Sequence, residues 1–163
     1  ETVFEKIGTP YKYEDFKDLY FYEPHALQLP DGKIICHLRA ENAEETIFTL
    51  YQTVSLDNGV TWSKPQQIVR DDSGAPGHLF MHSSGTLIST FSHRKRPYGI
   101  WAIFSEDNGE TWSDESIIHH GYDTDDLGYP STIELDNGEM ITAFYTREND
   151  YVPALIMQQK WEI

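Results

Sequence analysis

The chain has 163 residues, a formal net charge of −15, 13% aromatic and 39% hydrophobic residues. This length and apolar content can bury a core and exclude a disordered chain, and no apolar run approaches the ~20 residues of a membrane-crossing helix. The acidic balance argues against nucleic acid or an anionic membrane surface as partner, because both call for basic surface.

The chain opens with Glu-Thr-Val-Phe-Glu-Lys-Ile at 1–7 and runs into an aromatic stretch holding Tyr11, Tyr13, Phe16, Tyr20, Phe21 and Tyr22. From Glu23 a repeat sets in. Asp31-Gly32, Ser84-Gly85 and Asn137-Gly138 each lie between strand-like runs, with their glycines 53 and again 53 residues apart. They read as two-residue hairpin turns. Inner strands precede them (His25-Ala-Leu-Gln-Leu, His78-Leu-Phe-Met-His, Ser131-Thr-Ile-Glu-Leu), and second strands follow at 33–39, 86–92 and 139–145. Third strands are predicted at 46–55 and 98–105, and fourth strands at 66–70 and 115–119. Cys36, the lone cysteine, falls within a second strand as a small buried apolar residue.

Between third and fourth strands stands a repeated octapeptide. Ser-Leu-Asp-Asn-Gly-Val-Thr-Trp at 55–62 recurs as Ser-Glu-Asp-Asn-Gly-Glu-Thr-Trp at 105–112, identical at six of eight positions. Asp-Asn-Gly is turn chemistry, since asparagine and glycine tolerate positive φ and the aspartate accepts hydrogen bonds within its own turn. The tryptophan supplies an apolar anchor. The role of the string is folding. Each unit is a four-stranded antiparallel meander of roughly fifty residues, the size of one propeller blade.

The third repeat has a third strand at 152–163 and no fourth. Residues 2–7 align with the fourth-strand segments at 64–69 and 114–118, so 1–10 is expected to form the outer strand that completes a last blade. The expected fold is an all-β propeller of three blades, 23–70, 76–119 and 129–163, within a single domain spanning 1–163. Three blades do not close a ring, because propellers use about four to eight. They make half of a six-bladed ring, completed either by a missing N-terminal half of a longer chain or by a second copy in a two-fold homodimer.

The octapeptides resemble the Asp-boxes, or BNR repeats, of the sialidase (neuraminidase) superfamily, and the resemblance covers essentially the whole chain as blades four to six of such a domain. In that family a glutamate leads blade four, an arginine ends its second strand, a further arginine comes from blade five, and a tyrosine leads blade six. Counting back nine from each turn glycine gives Glu23, Pro76 and Tyr129, and counting back seven gives His25, His78 and Ser131, all expected to ring the funnel at one mouth. The resemblance makes Tyr129, in Gly128-Tyr129-Pro-Ser-Thr-Ile-Glu-Leu, the nucleophile and Glu23 the base that takes its proton. Arg39, with Arg96 or Arg94, would hold the carboxylate of an acidic sugar. The implied activity is that of an exo-sialidase acting on a terminal acidic sugar, without cofactor or metal.

The residues themselves leave alternatives open. The run His93-Arg94-Lys95-Arg96 concentrates positive charge at the mouth, suited to an anionic sugar or simply to balancing an acidic surface. Glu23 and Tyr129 could close a hairpin rim, with Arg39 neutralising Glu23. His25 and His78 repeat at one structural position, which fits a hydrogen bond within the scaffold as well as a substrate contact. The family's aspartate acid/base and first carboxylate-binding arginine come from blade one, so the 163-residue chain alone is expected to be inactive. The alternatives in function are a non-catalytic carbohydrate-binding propeller and a protein-binding scaffold with an aromatic rim.

Overall fold

Every regular element among the described residues is a strand, as the alternating apolar pattern requires. The computed structural model describes residues 16–44, 46–70, 73–149 and 151–163; the outer strand expected at 1–10 lies outside them. The first sheet runs β1 (Tyr20–Gln28), β2 (Ile34–Glu41), β3 (Phe48–Ser55) and β4 (Gln66–Gln67). The second runs β5 (Gly74–Met81), β6 (Leu87–His93), β7 (Tyr98–Ser105) and β8 (Ser116–Tyr122). The third holds β9 (Gly128–Glu134), β10 (Met140–Thr146) and β11 (Leu155–Trp161). Each is an antiparallel meander in chain order. β1, β5 and β9 lead the three blades and pack successively against one another, so the blades of this β-propeller share a line of inner strands.

The fourth strand of the first blade is shorter than the sequence suggests. Only Gln66 and Gln67 keep ladder pairing, with Tyr51 and Gln52. Beyond them Val69 turns fully into the core, while Ile68 N–H still reaches the Leu50 carbonyl at 3.0 Å.

The hairpins depart from the expected two-residue turn. In the first, Leu29 N–H donates to the Lys33 carbonyl at 2.8 Å and Gly32 N–H to the Leu29 carbonyl at 2.9 Å, which encloses three residues. The same pair of bonds recurs at His82, Gly85 and Thr86 and at Leu135, Gly138 and Glu139. A two-residue turn of the Asn-Gly type needs positive φ at both central positions. Here only the glycines have it, at 91°, 93° and 85°, so the third loop residue alone turns the chain back.

The octapeptides fold as local hydrogen-bonded turns. Ser55 Oγ accepts from Gly59 N–H at 2.8 Å, while Asp57 accepts from Thr61 N–H at 2.8 Å and from its hydroxyl at 2.6 Å. Ser105, Asp107 and Thr111 repeat the arrangement. These donors, the Thr111 hydroxyl first, pull the Asp107 carboxyl down to about 2. The tryptophans diverge. Trp62 Nε1 donates to Gly59 within its own turn, whereas Trp112 Nε1 crosses to Gln52 of the first blade at 3.0 Å.

Trp112 also joins the two cores that weld the first blade to the second, one around Leu50, Val69, Phe91 and Ile103 and the other around Leu29, Ile35, Leu79 and Leu87. Ile88, Ala102 and Met140, then Ile100, Leu127 and Phe144, do the same for the second and third blades. Cys36 is buried within β2, and burial pushes its thiol up to about 11.

Candidate functional site

One irregularity recurs at the same end of all three inner strands. Glu23 and Pro24 together face the single residue Leu38, Ala75 and Pro76 face Ser92, and Tyr129 and Pro130 face Phe144, so each inner strand carries a bulge. A bulge bends a strand and re-aims its side chains. In two of the three it also forces a side-chain-bearing residue into the left-handed region, Glu23 at φ 48° and Tyr129 at φ 51°. Such strained residues concentrate at functional sites.

The bulges turn these two side chains toward each other across the start of β5, the second blade's lead strand, whose Pro76 lines the same pocket. Tyr129 Oη donates to Glu23 Oε1 at 2.5 Å, and the other carboxylate oxygen accepts from Arg39 Nη1 at 3.2 Å. The bond to Glu23, followed by burial, raises the Tyr129 phenol above its ordinary value, while the charges of Arg39 and Arg94 pull it back. The proton thus rests on the phenol with an acceptor already in place. Arg39 is itself held by a second carboxylate, Glu41, whose Oε2 accepts from Nε at 3.1 Å and from Nη2 at 2.5 Å. Burial works against the charge on Arg39, but the bonds to Glu41 and Glu23 outweigh it and raise its pKa.

Beside the pair, His25 and His78 line a pocket of about 260 Å³ together with Glu23, Pro76, Tyr129 and Pro130. His25 Nδ1 accepts from Leu79 N–H at 3.2 Å, and His78 Nδ1 accepts from Thr132 N–H at 3.3 Å, so each ring ties its blade to the backbone of the next. An amide N–H can only donate, which places the proton of each neutral ring on Nε2. Behind them His37 is fully enclosed, with Nδ1 at 3.0 Å from Ser89 Oγ and Nε2 at 3.3 Å from Gln52 Oε1. Desolvation lowers all three rings, His37 to about 3 and His78 to about 4.

This arrangement carries a pH dependence. A histidine whose folded pKa lies below 6.5 gives its full stability above pH 6.5 and loses it as the pH falls toward the folded value, because only the unfolded chain takes up the proton. The unfolding free energy is expected to drop by about 1–2 kcal/mol from His37 alone between pH 7 and pH 5. Denaturant unfolding across that range checks this. The His37→Gln variant should show a shallower slope, and an unchanged slope would refute the assignment.

The positive residues of the second blade separate. Arg94 Nε donates to the Leu127 carbonyl at 3.2 Å, and its guanidinium lies 5.2 Å from the centre of the Phe48 ring. With Arg39, Phe48, Tyr20, Tyr22, Lys95 and Asp125 it lines a cleft of about 540 Å³ between the first two blades. Arg96 instead meets Asp123 at 3.2 Å on the exposed rim and lies over Tyr98, outside that cleft. Among the described residues, no group of three or more His, Cys, Asp or Glu is placed to hold a metal ion.

Sequence reasoning missed several neighbours. Glu41 lies two residues after Arg39 on β2, so strand periodicity puts it on the same face and could have flagged it. Phe48 is Glu41's partner across the β2–β3 hairpin. Tyr145, whose hydroxyl donates to Asp126 at 2.7 Å and whose ring centre is 6.0 Å from that of Tyr129, carries no such signal.

Residues 14–143 match the family described as the BNR repeat-like domain. No curated protein sequence matches the chain. Among solved structures it is similar to a protein of unknown function from Dyadobacter fermentans, at 22% identity and a TM-score of 0.79 over 90% of this chain and 39% of that one. It is also similar to an α-L-arabinanase of Penicillium chrysogenum, at 19% identity and a TM-score of 0.69 over 86% of this chain and 45% of that one. A Hadza microbial sialidase gives 22% identity and a TM-score of 0.61 over 86% of this chain and 31% of the other. At these identities the likeness is one of fold, and the chain spans less than half the length of each.

Proposed function

This chain belongs to the BNR repeat-like domain family, and from that premise we propose that it supplies the nucleophile side of a sialidase-like glycoside hydrolase site acting on a terminal acidic sugar. The observation that carries the proposal is the 2.5 Å hydrogen bond from Tyr129 Oη to Glu23 Oε1 between two strained bulges. In the first step Tyr129 Oη forms a bond to the anomeric carbon as the bond from that carbon to the leaving oxygen breaks, and the phenolic proton passes to Glu23. Water then attacks the same carbon as its bond to the Tyr129 oxygen breaks, water's proton passes to the group that protonated the leaving oxygen, the sugar leaves, and the Tyr129 oxygen recovers its proton from Glu23. A neutral nucleophile suits a substrate that carries its own carboxylate, since two anions would repel. The acid that protonates the leaving oxygen would come from the rest of the ring, supplied by an N-terminal half of the parent chain or by a second copy.

Arg39 and Lys95 at the cleft favour an anionic sugar. Similar folds carry both an arabinanase and a sialidase, so the sugar is the specific part of this proposal. The test is covalent trapping. The intact protein, incubated with a sugar acid whose ring fluorine slows the second step, should gain one glycosyl group on Tyr129 in peptide mass spectrometry. Turnover with an unlabelled Tyr129 would overturn the assignment. Binding without turnover or labelling would favour the carbohydrate-binding module.

A further inference from the structure

Arg94 does more in this structure than line a cleft. It leaves the end of β6, in the second blade, and its Nε donates to the carbonyl of Leu127, two residues before Tyr129. Leu127 is fully buried with Ile100 and Phe144, so this bond grips a fixed point of the segment that enters the third blade. One residue on, Gly128 at φ 142° lies so close to the second blade that a side chain there would meet Ser92 Oγ at 2.7 Å and Arg94 Nη2 at 3.5 Å. The residue that leads into the left-handed turn at Tyr129 is therefore seated directly on Ser92 and beside Arg94.

The other side of the guanidinium's reach is the first blade. Its carbon lies 5.2 Å from the centre of the Phe48 ring, and Arg39 approaches the same ring at 4.7 Å while bonding Glu23 at 3.2 Å. Cation and aromatic ring attract through the ring's quadrupole, most strongly where water is excluded. A continuous path results, from Glu23 through Arg39, Phe48 and Arg94 to Leu127 and Tyr129, crossing all three blades. The root of Arg94 is fixed too, because His93 stacks on Trp101 at 3.9 Å and its Nδ1 meets the carbonyls of Lys95 at 2.9 Å and Pro97 at 3.0 Å.

We infer that Arg94 and Phe48 are positioning residues that, with Arg39, set the contact between Tyr129 and Glu23. This rests on the nucleophile reading above but makes a different demand, since a residue that only captured a substrate carboxylate would need no bond to Leu127. Positioning errors are expensive in rate, about 10²-fold for a displacement near 1 Å. Removing a positioning residue lowers kcat and leaves KM nearly alone, whereas removing a carboxylate anchor raises KM.

The experiment uses the intact protein with Arg94→Lys, Arg94→Met and Phe48→Leu. Lysine keeps the charge but cannot reproduce the guanidinium's reach to Leu127 and Phe48 together. All three variants should lose about 10–100-fold in kcat on an acidic sugar with KM changed less than about threefold. Amide hydrogen exchange should rise at residues 127–129 and 131 in each of them, Pro130 having no amide hydrogen. Exchange is read whether or not the protein turns over sugar, so it separates this inference from the catalytic reading. Near-normal Arg94→Lys with a KM defect confined to Arg94→Met would overturn it, and so would unchanged exchange at 127–129 and 131.

Discussion

Replacing Tyr129 by phenylalanine in the intact propeller is expected to lower kcat by about 10³-fold or more, with little change in sugar binding. The variant removes one oxygen from a side chain that is 53% exposed, so packing and stability should scarcely change. What disappears is the atom that would bond the anomeric carbon and the hydrogen bond to Glu23. Glu23→Gln should be almost as damaging, by about 10²–10⁴-fold, because the amide keeps the shape of the carboxylate but no longer takes a proton from the phenol. Combining the two should cost little more than Tyr129→Phe alone, since residues acting as one unit are not additive. Steady-state rates on an acidic aryl glycoside, with binding followed calorimetrically, decide the matter. Full activity in Tyr129→Phe would end the nucleophile assignment.

The largest structural effect is expected at Gly128. An alanine there would hold φ near 142°, which side-chain-bearing residues rarely adopt, and would set its Cβ 2.7 Å from Ser92 Oγ and 2.8 Å from Ser92 Cβ. Backbone strain contributes about 1–3 kcal/mol and overpacking a similar amount. Ser92 cannot easily retreat, because it is fully buried and its hydroxyl is bonded to the Ala75 carbonyl. Gly128→Ala should therefore destabilise the protein by about 2–4 kcal/mol and displace Tyr129 from Glu23. Denaturant unfolding measures the first effect and the loss of turnover the second. A variant of unchanged stability would show that the segment can shift at no cost, which the close approach to Ser92 contradicts.

Much of the blade was written in local chemistry. The period of 53 between turn glycines, the two octapeptides and the alternation of apolar residues specify strands, meander order and repeat, because each depends on residues near one another in the chain. The turn length was not specified. Asp31-Gly32 suits a two-residue turn, yet the strand register set by Leu27, Ile35 and their core neighbours closes the hairpin between Leu29 and Lys33. Family resemblance named Arg94 and Arg96 together, and only the folded loop separates them, sending Arg94 to Leu127 and Arg96 to Asp123.

The sequence by itself determined the blade, since hydrophobic periodicity and turn propensity act over a few residues. The tertiary structure alone decided how close Tyr129 comes to Glu23, 106 residues away, and which arginine supports that contact. The physical reason lies in the bulges and the packing between blades. A two-against-one mismatch in strand pairing is a property of register, and register is settled only when the buried faces of neighbouring blades meet.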